Sequence, residues 1–472
     1  MTTGDSHPLA ARGLACAALL LAFSLPLAAA PRSHAQSTTK PPTVPAGPAD
    51  VKPLGNYASL EQLRQCLAER LRAGEDVSRV QAAVEKVIAR IADAKRLLKQ
   101  GALKALRAAL AEIQQLANRA YWMSYPSRQG ELRGIWACGT VEPSWDEAMR
   151  NIRDANLNAV YPYMCTPGAA WYPSDYVPMV SDTDCLAEAV AAGHKYGVPV
   201  HARMLNLFAM CAPAAFKADL RNQGRLVRTP SGKTANWLCP TNPANRHLVL
   251  NLAVEMATKY PVAGIQFDYL RYDGDEFCFC PTCRAAFQTS IGRKLADLPQ
   301  AVKSGHLREQ WHDWRRAQIT TLVRDLHDAL RAARPEIIIS ASVFLNWEDH
   351  REEFGQDWKD WVDRGYVDYV CPMDYTPSNS RFTLYVQRQM KWVAGKVPVC
   401  PGIGVNADDM HFPGPQALLD QITIARNLNA SGWTLFNYDA KLVRDYLPYL
   451  KLGASSTPTQ FLGLDGCGGV GG

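Results

Sequence analysis

The sequence predicts an α/β chain: a closed (β/α)8 barrel of parallel strands, preceded by a small all-helical segment. Three observations predict it. From Arg133 onwards, short apolar runs rich in β-branched and aromatic residues alternate with longer amphipathic segments. Eight such pairs follow one another, the number that closes a parallel sheet into a TIM barrel. Ahead of them, residues 60–121 carry apolar side chains at steps of three and four. With 47% hydrophobic and 20% charged residues among 472, the chain can bury a large core.

The first 35 residues follow the plan of a cleavable secretory signal. Arg12 precedes an apolar run, 13–27, and small residues lead up to Gln36. The run is too short and too alanine-rich at its end to span a membrane, so no stable span is expected after processing. The expected location is outside the cytoplasm of a bacterium: secreted, periplasmic or attached to the cell envelope. Residues 36–56 are rich in Pro, Thr and Ala and read as a linker. Residues 57–122 read as a helical hairpin or bundle, punctuated by Gly74 and Gly101, either docked as an appendage or used for self-association.

The barrel is expected over 131–453. Its strands are predicted at 134–138, 159–164, 199–204, 264–268, 337–343, 369–373, 399–403 and 433–438. Its helices are predicted at 145–155, 184–196, 246–259, 308–333, 356–364, 384–393, 415–428 and 441–449. A doubly wound open sheet is the alternative, but no glycine-rich phosphate loop supports it. The glycine-rich end, 454–472, reads as a flexible tail.

Without residues 1–35, which hold Arg12, Arg32 and Asp5, the formal charge falls from +6 to +5. So mild a charge does not point to nucleic acid. The strand ends carry the chemistry in such a barrel. If Ile265 and Phe267 face the helices, Gln266 and Asp268 face the barrel axis, and Arg271 stands three residues on to hold Asp268 ionised or pair with it structurally. Asp374 ends the sixth strand on the same rim. Two carboxylates at one rim are what glycosidic cleavage needs. Glu348, after the fifth strand, is an alternative proton donor, and Asp349 a weaker one.

A sugar ring is apolar on its faces and polar round its edge, so a carbohydrate polymer wants aromatic faces beside hydrogen-bonding tips. Tyr161, Tyr163, Trp171, Tyr172, Trp237, Trp347, Tyr375, Trp433 and Tyr438 supply the first. His201, Arg203, Asn206, Asn406 and Asn437 supply the second. Neither a His-x-His pair on strand one nor a G-x-S-x-G elbow is present, which argues against an amidohydrolase or a serine hydrolase.

Of 13 cysteines, Cys278, Cys280 and Cys283 fall within six residues after strand four, and Cys239 precedes the third helix. Thiols at i and i+2 pair poorly, so a closed structural Zn²⁺ site is expected there, with disulfides as the alternative in an oxidising compartment. Cys138, Cys371 and Cys400 are expected as buried free thiols. Catalysis by two carboxylates needs no cofactor.

Glu131-Leu132-Arg133-Gly134-Ile135-Trp136, Tyr172-Pro173-Ser174, Cys239-Pro240-Thr241-Asn242-Pro243, the run from Gly264 to Tyr272, and Pro401-Gly402-Ile403-Gly404-Val405 together resemble the glycosyl-hydrolase-like ten family. The likeness covers about 131–450. It implies a barrel glycosidase of the bacterial envelope or exterior, with the nucleophile at Asp268 and the acid/base at Asp374. It also implies a polysaccharide or peptidoglycan glycan strand as substrate. The cysteine run is similar to the structural zinc site of family forty-two β-galactosidases. A non-catalytic carbohydrate-binding barrel is the rival expectation.

Overall fold

The computed structural model describes residues 76–303, 305–407 and 412–461, with three helical residue pairs between 63 and 72. The expected signal segment, the linker, most of the first predicted helix and the end of the tail lie outside the described residues.

The chain divides into two compact units at residue 113. In the first, the helix Ser78–Lys99 buries Val80, Val84, Val87 and Ala94, the stripe its three- and four-residue spacing predicts. Gly101, at φ +69, turns the chain into the helix Leu103–Met123. Arg90 Nη2 and Glu112 Oε2, 2.7 Å apart, pair one helix with the next.

The second unit is the barrel. Its strands are β1 (Leu132–Ala137), β2 (Ala159–Thr166), β3 (His201–Leu205), β4 (Gly264–Asp268), β5 (Ile338–Phe344), β6 (Tyr369–Met373), β7 (Gly402–Gly404) and β8 (Gly432–Phe436). All pair in parallel with their neighbours, and β1 closes the ring against β8 at Leu132↔Gly432 and against β2 at Gly134↔Ala159. β4 and β6 have their predicted bounds, and the others shift by one to three residues at an end.

Alternation divides every strand. Ile135, Val160, Ala202, Ile265, Ile339, Val370, Ile403 and Leu435 join the layer between strands and helices. Trp136, Tyr161, Tyr369 and Cys371 fill the axis. Two glycines make room for the large rings: a Cβ on Gly134 would meet the Tyr161 ring at 2.7 Å, and one on Gly402 the Trp136 ring at 2.7 Å. Gln266 crosses the middle of the barrel, accepting from Trp136 Nε1 at 2.6 Å and Ser342 Oγ at 3.2 Å and donating to Ser340 Oγ at 3.3 Å. A buried amide so bonded is stable there.

Where structure and sequence reading differ, local chemistry explains the difference. The predicted helix 384–393 starts earlier, at Asn379, because Ser378 Oγ accepts from Arg381 N at 3.4 Å and caps it. The predicted helix 441–449 is two, Ala440–Asp445 and Leu447–Leu452, since Pro448 brings no N–H to the ladder. A hairpin, Leu226–Arg228 with Thr234–Leu238, and the helices Ala214–Asn222, Pro281–Ser290, Leu298–Lys303 and Trp347–Glu353 sit in the loops after β3, β4 and β5.

Residues 454–461, expected in the flexible tail, are tied down at the N-terminal end of the strands. Arg133 Nη1 donates to Thr457 O at 2.7 Å, and Asn156 Nδ2 to Ser455 O at 2.7 Å. Arg133, fully buried, pairs with Glu131 at 2.8 Å, and Arg426 completes the triad at 2.5 Å. Removing Arg133 breaks this buried network: Arg426 still meets Glu131, but the carbonyls of Arg128 and Thr457 lose their charged donor. Arg133→Met is expected to destabilise the protein by about 3–5 kcal/mol in denaturant unfolding; a change under about 1 kcal/mol would show that the triad carries little of the fold.

Candidate active site

Asp268 is the last residue of β4, faces the axis and is 3% exposed. Arg203, from β3, donates Nη1 to its Oδ2 at 3.3 Å and Nη2 to Ala137 O at 3.4 Å. Tyr269, held at φ +54, turns its own N–H back to Asp268 Oδ1 at 2.7 Å. That backbone conformation is costly for a tyrosine and marks a site whose geometry outweighs local preference. Asn206 clasps the neighbouring backbone: its N donates to Asp268 O at 2.8 Å, and its Oδ1 accepts from Asp268 N at 3.1 Å. Asn206 Nδ2 is buried and has no partner among the described residues.

Burial pushes the Asp268 carboxyl above its ordinary value, while Arg203, Arg271 and the Tyr269 N–H pull it down.

Rings surround it. Tyr163 lies under the Arg203 guanidinium at 5.5 Å and edge-on to Trp171 at 4.8 Å. Burial pushes the Tyr163 phenol up to about 12. Tyr375 packs on Phe436 at 5.0 Å and Trp136 at 6.2 Å. Its phenol is raised by burial, eased by Arg203 and raised again by Asp268, which places it beside the acid. Phe208 stacks on Trp237 at 5.0 Å and on Tyr269 at 5.3 Å. Arg271 lies over Trp237, Tyr269, Phe344 and Phe354 at 4.8, 4.7, 4.5 and 5.4 Å.

Other predicted residues take different places. His201 opens β3 rather than ending it. It is buried between Tyr161 and Tyr369, and burial pushes it down to about 4. Tyr172 donates to Glu255 Oε2 at 3.0 Å beside Ser174 at 2.7 Å, so the Tyr-Pro-Ser run clasps a helix. Trp433 lies on the outward face of β8, fully buried between strand and helices, and is not at the mouth. Asn406 donates Nδ2 to Asn437 O at 3.0 Å and accepts from Asn437 N, tying the β7 and β8 loops together. Trp347 is half-buried on the rim helix and donates to Asp357 at 2.6 Å.

Asp374 does not share the face of Asp268. Tyr369, Cys371 and Tyr375 point inward, so Asp374 points outward, where Gln389 Nε2 donates to its Oδ1 at 2.6 Å. It is fully buried, its Oδ2 has no partner among the described residues, and burial raises its carboxyl well above the ordinary value. Glu348 and Asp349 are exposed on the helix Trp347–Glu353, with Asp349 accepting from Asn346.

Sequence reading passed over Phe208, Tyr269, Phe344 and Phe354. Phe344 shares inward parity with Ser340 and Ser342 and was legible from alternation; Phe354 comes from a loop and carried no signal.

Cys239, Cys278, Cys280 and Cys283 bring their sulfurs within 4.8 Å of one another, all buried. Cys239 Sγ lies 3.3 Å from Cys283 Sγ and 3.5 Å from Cys280 Sγ. Those separations exceed the roughly 2.05 Å of a disulfide and lie near the about 3.8 Å between sulfurs that tetrahedral Zn–S bonds of about 2.3 Å impose. Backbone N–H groups of Arg228 and Cys283 point at Cys278 and Cys280 at 3.4 and 3.5 Å, as thiolates require. The donor set fits a metal. Cys371 and Cys400 are buried free thiols, and Cys138 is half-buried.

The sequence profile of the Glycosyl hydrolase-like 10 family matches residues 131–405. The chain belongs to this family. Among its curated relatives, glycosyl hydrolase DigH of Escherichia coli O6:H1 is 24% identical over 292 residues, 53% of this chain and 62% of the relative. Glycosyl hydrolase YngK of Bacillus subtilis is 21% identical over 362 residues, 65% of this chain and 68% of the relative. The chain therefore spans less than two thirds of DigH. The glycoside hydrolase domain of PgaB (BpsB) from Bordetella bronchiseptica superposes with a TM-score of 0.54 at 14% identity, over 66% of this chain and 94% of that domain, a likeness of fold. In this glycosyl hydrolase-like 10 member, the family match begins at the buried Glu131 and takes in β1 to β7 and the thiol cluster.

Arg203 is the largest of the three influences that oppose burial at Asp268. Replacing it with Gln removes a charge that lowers the carboxyl, so the Asp268 pKa should rise further. Carbon-13 titration of the Asp268 carboxyl checks this, and an unchanged or lower value would remove Arg203 from its control.

Proposed function

We propose that this family member is an exported glycoside hydrolase that cuts O-glycosidic bonds in a carbohydrate polymer, a polysaccharide or a peptidoglycan glycan strand, using two carboxylates. One observation carries the reading: a buried, axis-facing carboxylate at the end of β4, met by Arg203 and walled by Tyr163 and Tyr375. Burying an acid costs free energy unless it is paired or used, and here one cation pairs it at 3.3 Å beside the Tyr163 and Tyr375 rings. Arg203 and Arg271 favour the ionised form, which suits attack on the anomeric carbon or stabilisation of the cation that forms there.

For the proton donor, the support shifts to Glu348. It is exposed on the rim helix after β5, whereas the Asp374 carboxyl is fully buried and bonded outward to Gln389. Asp374 then acts by positioning Tyr375, its neighbour in sequence. Export is supported by the segment 1–35, and among the described residues no helix is long and apolar enough to cross a membrane. Self-association through the N-terminal helices remains part of the proposal, motivated by Leu98 and Leu103, 42% and 63% exposed on them.

Release of new reducing ends from peptide-free peptidoglycan strands and a polysaccharide panel tests the reading. Asp268→Asn should lose about 10³-fold or more, and Glu348→Gln about 10²-fold or more with a compensating gain on activated leaving groups. Equal release by wild type and Asp268→Asn would favour a barrel that binds carbohydrate without cutting it. Loss in Asp374→Asn with none in Glu348→Gln would return the donor role to Asp374.

We also propose that the four thiols hold a structural Zn²⁺ that pins the segment beyond Asp268. With no open coordination position, it takes no part in bond cleavage. Purified protein should contain one zinc per chain, and Cys280→Ser should lose it and melt lower. Metal-free wild-type protein with blocked thiols would point to disulfides instead.

A further inference from the structure

Arg271 stands three residues beyond Asp268, and its surroundings do not match those of a structural ion pair. Four rings, from the β3 loop hairpin, the strand ends of β4 and β5, and the rim beyond, lie within 5.4 Å of its guanidinium. Its one hydrogen bond among the described residues is long, from Nη1 to Tyr272 O at 3.4 Å, and its Nε is buried without a partner. Most other buried or half-buried arginines of the unit meet a carboxylate: Arg133 meets Glu131, Arg246 meets Asp325, Arg316 meets Glu352, and Arg426 meets Glu131. Arg271 meets none within ion-pair distance among the described residues. Asp273, two residues on from Arg271, is exposed and acts on it only at longer range.

The rings fix the plane of the guanidinium by cation–π contact without consuming its hydrogen-bonding edge. A planar fork held this way, with one edge unspent, is matched to a carboxylate. Beside it Phe208 stacks on both Trp237 and Tyr269, Trp237 buried and the other two rings half-buried, so the group is a rigid mount for the fork. A neutral sugar would leave the fork unmet.

We propose that Arg271 is a specificity-determining residue that reads a carboxylate carried by the glycan, so that the substrate class is an acidic polymer. The inference rests on the glycosidase reading of the site. The sugar presents its carboxylate to the unspent edge of the guanidinium, and the bond to be cut falls at Asp268, next along the rim.

Binding of two acidic glycans, an oligogalacturonate and peptide-free peptidoglycan strands, is measured by titration calorimetry against the same glycans with their carboxylates reduced to alcohols. Wild-type protein should bind the acidic form of at least one about tenfold or more tightly than its reduced form. Arg271→Met should abolish that preference, and Arg271→Lys should keep part of it. Equal binding of acidic and reduced forms by wild type would overturn the inference while leaving the glycosidase reading intact, and this arm needs no variant to fold. A preference that survives in a folded Arg271→Met also overturns it. Wild-type protein that neither binds nor cuts any glycan would overturn the glycosidase reading itself.

Discussion

A carboxylate withdrawn from water at the mouth of a barrel survives only where cations and N–H groups replace its hydration. Asp268 has such a replacement, and much of the upper barrel serves it. β3 contributes Arg203 at the height where its side chain crosses to β4. The register His201↔Gly264 and Leu205↔Asp268 puts Arg203 one step below the acid. Asn206 continues the β3–β4 ladder past the strand ends, so the backbone bearing the acid cannot drift. Beneath it Gln266, bonded to Trp136, Ser340 and Ser342, forms a polar floor that neither water nor a missing partner disturbs.

The two ends of the barrel treat charge differently. At the N-terminal ends of the strands, Glu131, Arg133 and Arg426 satisfy one another and take up the chain segment around Thr457. At the C-terminal ends, Arg203 Nε, Arg271 Nε and Asn206 Nδ2 are buried without partners among the described residues. Unmet polar groups lower stability, and a fold keeps them where a ligand meets them. The paired end stabilises the scaffold, which leaves the unpaired end free to be shaped for binding.

Alternation and strand ends made much of this legible before the structure. The direction of Asp268 followed from Ile265 and Phe267, and the four thiols from their spacing. What misled was reading strand ends by position without counting parity. Asp374 follows the last residue of β6 and is expected on the rim, yet counting from Tyr369 and Cys371 turns it outward. Trp433 fails by the same count on β8. His201 was placed at the top of β3 because the strand was drawn two residues too early. Phe354 and the hairpin that brings Trp237 over Arg271 depend on long loops, where no periodicity ties sequence to position.

The thiol cluster bears on the same acid through the chain. Five residues separate Tyr272 from Cys278, and Cys239 directly follows the strand that carries Trp237. A single tetrahedral ion joining Cys239 to Cys278, Cys280 and Cys283 would therefore lock the Trp237 ring against the segment that carries Tyr269 and Arg271. Loops after barrel strands pay conformational entropy for every ordered residue, and a metal clip across two of them lowers that cost by restricting the unfolded chain. Such a clip would sit outside the chemistry, yet it would set the spacing between the ring stack and Asp268.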